Sequence, residues 1–286
     1  MKRKFIHQKG LSNKFWDIDY SGTTQKVVYG KIGAKGRETV KEFSNEVECI
    51  KSSESLIVQK TKKGYTEIKE GAKIPEKKEL SENEKSEIHF WNAIEKSNKH
   101  KHTHWNEYDL EEHIESLTEH LSKWGKERLV SFEKIFQEKL VKLYTAEIAE
   151  LYIILNNEFE FKDGVYTLDS YLSVDGFLYF RCWILLKGKT FFEDITKDIN
   201  EFISGKYSFD IADCWAEELM YVSDEAYSEN HENKDESEIR DAVSELFPKL
   251  NYDNGEFSLN REPKSGKELF DQYPELVKSM CELREQ

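Results

Sequence analysis

Three glycines recur at every third position in Tyr29-Gly30-Lys31-Ile32-Gly33-Ala34-Lys35-Gly36-Arg37, directly after two short apolar runs. That punctuation constrains the chain more than any other stretch. Phe15-Trp16-Asp17-Ile18-Asp19-Tyr20 alternates as a strand does, Ser21-Gly22-Thr23-Thr24 reads as a turn, and Lys26-Val27-Val28-Tyr29 returns as the second arm of a hairpin. The glycines then permit bulges and close backbone approach. They do not make a phosphate loop, because no helix signal follows them directly. Thr39-Val40-Lys41-Glu42-Phe43 gives another short strand. A helix follows, with Asn45 as N-cap, Glu48 at capping-box spacing, Val47, Ile50 and Ile57 as its apolar positions, and Gly64 closing it.

Taken in order, Asn13-Lys14-Phe15-Trp16, the glycine segment and Lys60-Thr61-Lys62-Lys63-Gly64-Tyr65 resemble the WGR domain, named for a Trp-Gly-Arg triplet. The triplet reads Tyr-Gly-Lys here. The domain occurs in DNA-damage-responsive poly-ADP-ribose polymerases and in many bacterial proteins. The resemblance implies a small antiparallel sheet with one packed helix, and a grip on DNA at a strand break. It also implies that Asn13, Tyr29 and Lys31 take the positions that hold a 5′ phosphate end. There a ring packs on the terminal sugar while an amide and a cation hold the phosphate. Lys lacks the two-pronged fork of Arg, and Tyr stacks over less area than Trp. Lys35 and Arg37 extend this candidate surface, and Lys60, Lys62 and Lys63 add a diffuse basic patch. The alternative is a Tyr29 that pairs across strands and a Lys31 that is a solvated charge. Equally, cations near a helix C-terminus suit its dipole.

Charge separates the two ends of the chain. Residues 1–70 hold 15 Lys/Arg against 9 Asp/Glu, a balance of +6, and the remainder carries −20 of a total of −14. Only the first end should approach nucleic acid, since the acidic part repels a phosphate backbone. The stretch from Glu70 to Lys85, with Pro75, reads as a linker. The expected fold is therefore α+β: a sheet-and-helix domain over 1–75, a linker over 76–87, a mainly α-helical acidic domain over 88–245, and a C-terminal tail with a short helix over 246–286.

In the second region Leu110, Ile114, Leu117, Leu121 and Trp124 step at helical spacing up to Gly125, and Leu129, Phe132, Phe136, Leu140 and Leu143 repeat the pattern. Ala146 to Leu155 is apolar on nearly every side and reads as a central helix. Phe177–Lys187 ends at Gly188. One helix is expected through Phe192, Ile195, Ile199 and Phe202, and a last one through Ala212, Trp215, Leu219 and Val222, before a polar, mobile run from Ser228 to Asp241. Phe90-Trp91, Asp175-Gly176-Phe177, Phe180-Arg181-Cys182-Trp183-Ile184, Ala216-Glu217-Glu218-Leu219 and Ala226-Tyr227 resemble an uncharacterised bacterial helical family, over roughly 88–228. That resemblance implies a shape and no activity.

Four scattered cysteines, with no CxxC pair, suit reduced thiols in a cytosol rather than a disulfide framework or zinc site. No apolar run suggests a secretion signal or a membrane span, so a cytoplasmic protein is expected. His100, His102 and His104 alternate, but their surroundings read as a surface loop rather than a metal site. His113 and His120, on one helix, read likewise. Glu147 and Glu150, with Glu217 and Glu218, are either paired carboxylates for acid–base work or salt-bridge and surface charges. No nucleophile elbow, nucleotide fingerprint or kinase signature is present, and nothing after Gly71 resembles an ADP-ribosyltransferase. No cofactor and no catalytic residue is expected.

Arg181 falls on a helix that is apolar almost all round, with Asp175 placed as its N-cap. The guanidinium should be buried and paired with a carboxylate from another helix, from among Glu147, Glu150, Glu217 and Glu218, or else bind an anion. The leading expectation is a DNA-binding protein that recognises ends or breaks, with the helical domain engaging a protein partner. The alternatives are an antitoxin-like interaction protein without DNA binding, and an enzyme of unknown reaction in the helical domain.

Overall fold

The computed structural model describes all residues except 70, 78, 101–107, 158, 164, 169–170, 208–213, 231–236, 251, 253–258 and 285–286. The chain is α+β and divides into two compact units, Met1–Ile88 and His89–Gln286.

The first unit is a five-stranded antiparallel sheet in the order β4-β3-β2-β1-β5. Its strands are β1 (Lys2–His7), β2 (Lys14–Ser21), β3 (Thr24–Lys31), β4 (Arg37–Glu42) and β5 (Thr66–Ile68). Helix α1 (Glu46–Lys62) covers one face, packing on β2 and β3. Alternation decides the faces. Trp16, Ile18 and Tyr20 point inward with Phe5 and Val27, and meet Cys49 and Ile57 of α1. The Asn45 side chain caps α1 by accepting from the Glu48 amide at 2.9 Å, and Gly64, at φ +84°, lets the chain leave the helix.

The inward stripe of α1 differs from the expected one. Val47 is 75% and Ile50 44% exposed, while Cys49, Ser53 and Ile57 are buried. A polar pair hides that stripe from a hydrophobicity count. Ser53 donates to the Cys49 carbonyl and accepts from the Gln25 side chain at 2.7 Å, inside the core. β1 has no counterpart among the strands expected from the sequence; in it Lys4 sits opposite Asp17 and Lys2 opposite Asp19, so opposite charges favour the pairing. Arg3 adds a two-pronged bond to Glu67 of β5, both distances 2.7 Å.

Around residues 73–77 the chain lies along the β1–β2 turn. Lys77 donates to the Gly10 and Ser12 carbonyls at 2.6 and 2.8 Å, and Gln8 donates to the Pro75 carbonyl.

The division between units falls within α2 (Glu82–Ser97). There follow α3 (Leu110–Ser122), α4 (Lys126–Lys142), α5 (Ala146–Asn156), the hairpin β6 (Phe159–Lys162) and β7 (Val165–Leu168), α6 (Val174–Leu186), α7 (Lys189–Lys197), α8 (Val222–Ser228), α9 (Glu238–Leu246), α10 (Lys267–Gln272) and α11 (Pro274–Arg284). One apolar core unites them, and α5 and α6 lie within it as expected. Leu269, Leu276, Val277 and Met280 bring the C-terminal helices into the same core.

Four local expectations change. The helix expected through 192–202 stops at Lys197, because Asp198 caps a separate 3-10 turn at Ile199–Ile203. In place of a helix through Leu219 and Val222 there is a 3-10 turn at Glu217–Met220 and then α8; Ala212 lies outside the described residues. Ser173, not Asp175, caps α6, accepting from the Gly176 amide at 3.1 Å. The run Ser228–Asp241 also contains the start of α9. Among the described residues, no helix is long and apolar enough to cross a membrane.

Candidate nucleic-acid interface

Strand register gathers the expected residues at one end of the small sheet. Lys14 lies opposite Lys31, Trp16 opposite Tyr29, and Tyr29 opposite Arg37. Directly opposed residues share a face, and Trp16 places this face on the side of α1. Beyond the reach of the helix Tyr29 is 39% exposed. Lys31 and Arg37 are exposed too, and Lys35 sits in the connection between them. Asn13 holds the strand end from the next position. Its carbonyl accepts from the Ile32 amide at 3.1 Å and its side-chain oxygen from Gln8 at 3.1 Å. The Asn13 side-chain nitrogen donates to none of the described residues.

The glycines make this approach possible. Gly36 has φ +77°, and a Cβ there would lie 2.6 Å from Phe15 Cζ, while one on Gly30 would lie 2.9 Å from the Gly36 Cα. Only bare backbone lets the β3–β4 connection fold over Phe15.

The C-terminus of α1 adds charge to the same end. Lys60 Nζ stands 5.6 Å from the Trp16 ring centre and 5.1 Å from that of Tyr65, and His7 stacks on Tyr65 at 5.2 Å. Burial, with Lys63 and Lys14 nearby, lowers the Lys60 pKa. Among the described residues, Lys14, Lys31, Lys35, Arg37, Lys60 and Lys63 form no ion pair. The other face is mixed in charge, with Lys26 bound to Glu38 at 2.8 Å. Sequence reasoning missed Lys14 and His7; Lys14 adjoins Asn13, but its match with Lys31 exists only in the strand register.

In the helical unit the candidates scatter. His100 binds Glu112 at 2.7 Å, and His102 and His104 lie outside the described residues. Among the described residues no group of His, Cys, Asp and Glu is arranged to hold a metal. His113 is buried between the Ile94 carbonyl and the Tyr108 hydroxyl, 2.9 Å from each, and burial lowers its pKa to about 4.

Glu147 and Glu150 share Arg261. Arg261 reaches Glu147 at 3.1 Å and Glu150 at 2.8 Å, and Glu150 also accepts from the Lys264 amide and the Tyr273 hydroxyl. Burial pushes both carboxyls up, but for Glu147 a hydrogen bond from Asn260 at 3.0 Å together with Arg261, and for Glu150 the bonds from Arg261, Lys264 and Tyr273, outweigh it and hold their pKa values low. Glu147 borders a cleft of about 490 Å³ with Lys142, Thr145, Thr196, Lys197 and Tyr273. Glu217 lies elsewhere, hydrogen-bonded to the Tyr179 hydroxyl.

Arg181 is 2% exposed. It donates to the Leu140 carbonyl at 3.0 Å and the Phe177 carbonyl at 3.3 Å, and its guanidinium lies 4.9 Å from both the Tyr144 and Phe177 rings. A buried carboxyl that no sequence signal marked is Glu133. It accepts from Ser223 at 2.6 Å and Gln137 at 2.9 Å, and burial raises its pKa to about 7.

A glycine-stitched antiparallel sheet with one helix and a cationic rim defines the first unit as a WGR module, and the WGR domain model matches residues 3–72. A second model, described as a protein of unknown function (DUF4240), matches residues 86–229, half of the chain. The chain belongs to that family. It is similar to the uncharacterised Escherichia coli K12 protein YfeS, 51% identical over 67 residues, 23% of this chain and 28% of that one. It is also similar to the K12 protein YehF, 38% identical over 65 residues, 23% and 24% of the two chains. The chain thus spans about a quarter of the length of these relatives. A crystal structure of a Bacteroides fragilis protein is 30% identical and covers 46% of this chain and 40% of its own, with a TM-score of 0.25.

Proposed function

We propose that this protein is a non-enzymatic DNA-binding protein whose WGR module recognises DNA ends or breaks, while the helical unit engages a protein partner. One observation carries the reading. Asn13, Tyr29, Lys31 and Arg37 meet at the rim of the sheet, joined by Lys14, Lys60 and Lys63, and among the described residues no carboxylate pairs with these cations. A donor amide, an exposed ring and several cations are what a terminal phosphate and its sugar require. Lys31 supplies charge without a fork, so the extra lysines at the rim substitute for what Arg would provide. On this reading Lys35 joins the surface, and Arg181 is a structural cation held by carbonyls and rings.

A second reading, an interaction protein without DNA binding, is favoured by Trp215. It is 50% exposed, edge-on to Tyr179 at 5.5 Å, and flanked in sequence by Glu217 and Glu218.

Fluorescence anisotropy with the full-length chain separates the two. Blunt or nicked duplexes bearing a 5′ phosphate should bind more tightly than closed circular DNA. Affinity should fall with salt with a slope of roughly −3, as about three neutralised phosphates require. Lys31→Glu should weaken binding more than Lys63→Glu. If no duplex binds at low salt, the DNA reading fails and the interaction reading replaces it.

A further inference from the structure

The acidic unit gathers basic groups at one place on its surface. His89 and Lys96 are two turns apart on α2 and therefore share a face. His120 ends α3, Trp124 occupies the turn, and Arg128 stands in the first turn of α4. The Arg128 guanidinium lies 3.6 Å from the Trp124 ring centre, and it donates to His89 Nδ1 at 3.1 Å. The rings of His89 and His120 meet Trp124 nearly edge-on, at 6.4 and 5.6 Å.

This geometry prepares hydrogen-bond donors. Stacking on the indole fixes the plane of the guanidinium, so its remaining N–H groups are pre-aimed and lose little freedom on binding. Because His89 Nδ1 accepts, the proton of the neutral ring sits on Nε2, which becomes a donor. Among the described residues carboxylates are scarce here, although the chain has 56 Asp and Glu residues. The charged groups facing His89 are Arg128 and Lys96. Among the described residues, those facing His120 are Lys96, Lys123, Arg128 and one acid, Glu119, which is bound to Lys123 at 2.9 Å. Arg128 forms no ion pair among the described residues, and burial lowers its pKa. Burial, first, and then these cations lower both histidines. A purely structural arginine would be better served by a carboxylate. Arg128 and Lys96 are exposed, and like charges held together at such a surface are stabilised instead by an anion.

We propose that Arg128, His89, His120 and Lys96 form a binding site for a small dianionic oxyanion of the phosphate type. The Arg128 fork and His89 Nε2–H supply the hydrogen bonds. Lys96 supplies charge, and His120 adds more when it protonates. The ligand is small because the chain beyond residue 70 carries −20, and such a field repels an extended polyanion far more than a single phosphate.

The test follows the histidine signals of the full-length chain by NMR. Sulfate, whose charge is constant from pH 5 to 8, and inorganic phosphate are compared with chloride at equal ionic strength. Both oxyanions should move the His89 and His120 signals saturably and raise the His120 titration midpoint, and sulfate, which stays dianionic throughout, should bind more tightly at pH 6 than at pH 8. Arg128→Gln should weaken sulfate binding about tenfold, the loss of one charge-assisted two-pronged contact. Lys96→Gln, an exposed change that leaves the stack intact, should weaken it by a smaller factor. Saturation absent with both oxyanions, or unchanged affinity in both variants, overturns the site. If duplex DNA moves these signals and sulfate does not, the surface is a nucleic-acid contact and the small-anion assignment is overturned.

Discussion

Two buried titratable residues give the helical unit opposing responses to pH. Glu133 has its pKa raised to about 7 by burial, so its contribution is fully present below the ordinary value near 4.5 and is lost as pH rises toward 7. His113 is depressed to about 4, again by burial. Its contribution is present above 6.5 and is lost as pH falls toward 4. The two slopes oppose each other across the overlap and largely cancel. Glu133→Gln keeps the shape and an acceptor for the hydroxyl of Ser223, and removes only the falling limb. The variant should match the parent near pH 4.5 and exceed it at pH 8 by roughly 3 kcal/mol, measured by urea unfolding at both pH values. A variant no more stable at pH 8 would mean that the Ser223 and Gln137 hydrogen bonds already offset the buried charge.

At the scale of elements, the β3–β4 connection shows what local sequence specifies well. Gly33 and Gly36 both have positive φ, at +89° and +77°, but a Cβ on Gly33 meets open space while one on Gly36 meets Phe15 at 2.6 Å. Gly33→Ala should cost about 1 kcal/mol of backbone strain, and Gly36→Ala ~2–4 kcal/mol, since overpacking adds to it. Hydrogen exchange of the β3 and β4 amides reads the difference; equal protection in the two variants would discount the contact with Phe15. The three-residue glycine spacing already announced such close approach. By contrast, α9 is fastened from elsewhere in the chain. Asp224 of α8 accepts from the Ile239 amide at 2.7 Å and from Arg240 Nε at 2.5 Å, so a carboxylate from another helix tends the α9 N-terminus. In sequence, the same residues read as the edge of a loop.

Across the whole molecule, the two units have separate cores, one around Trp16 and Ile18, the other around Phe136 and Trp183. Unfolding of the full-length chain should therefore show two transitions. Phe5→Ala should move one and Phe136→Ala the other, each by ~3–5 kcal/mol for a fully buried phenylalanine. Either substitution shifting both transitions equally would show that the units unfold as one. The charge split follows the same division, with the basic rim on one unit and most of the acid on the other, so on the proposed reading a change of salt should act on DNA binding through the first unit alone.

Much of this protein was decided by short-range chemistry that its sequence displays. Alternation made β2, a turn at Ser21–Thr24 returned the chain as β3, Asn45 and Gly64 bounded α1, and unbroken apolar runs buried α5 and α6, because propensity, capping and periodicity act over a few residues. The WGR triplet positions were legible for the same reason. Other features had no local signal. The buried face of α1 depends on Gln25 meeting Ser53, 28 residues away. The choice of Arg261 as partner for Glu150 joins positions 111 residues apart. The alignment of Lys14 with Lys31, and the stack of Arg128 on Trp124 beside His89, likewise arise only when separate elements pack. Periodicity tells which side of an element is apolar, but burial, pairing and strand register are settled by the surface that side meets. The ends of the candidate rim could be named from the chain, while the rim itself, and the basic cluster on the acidic unit, belong to the tertiary structure.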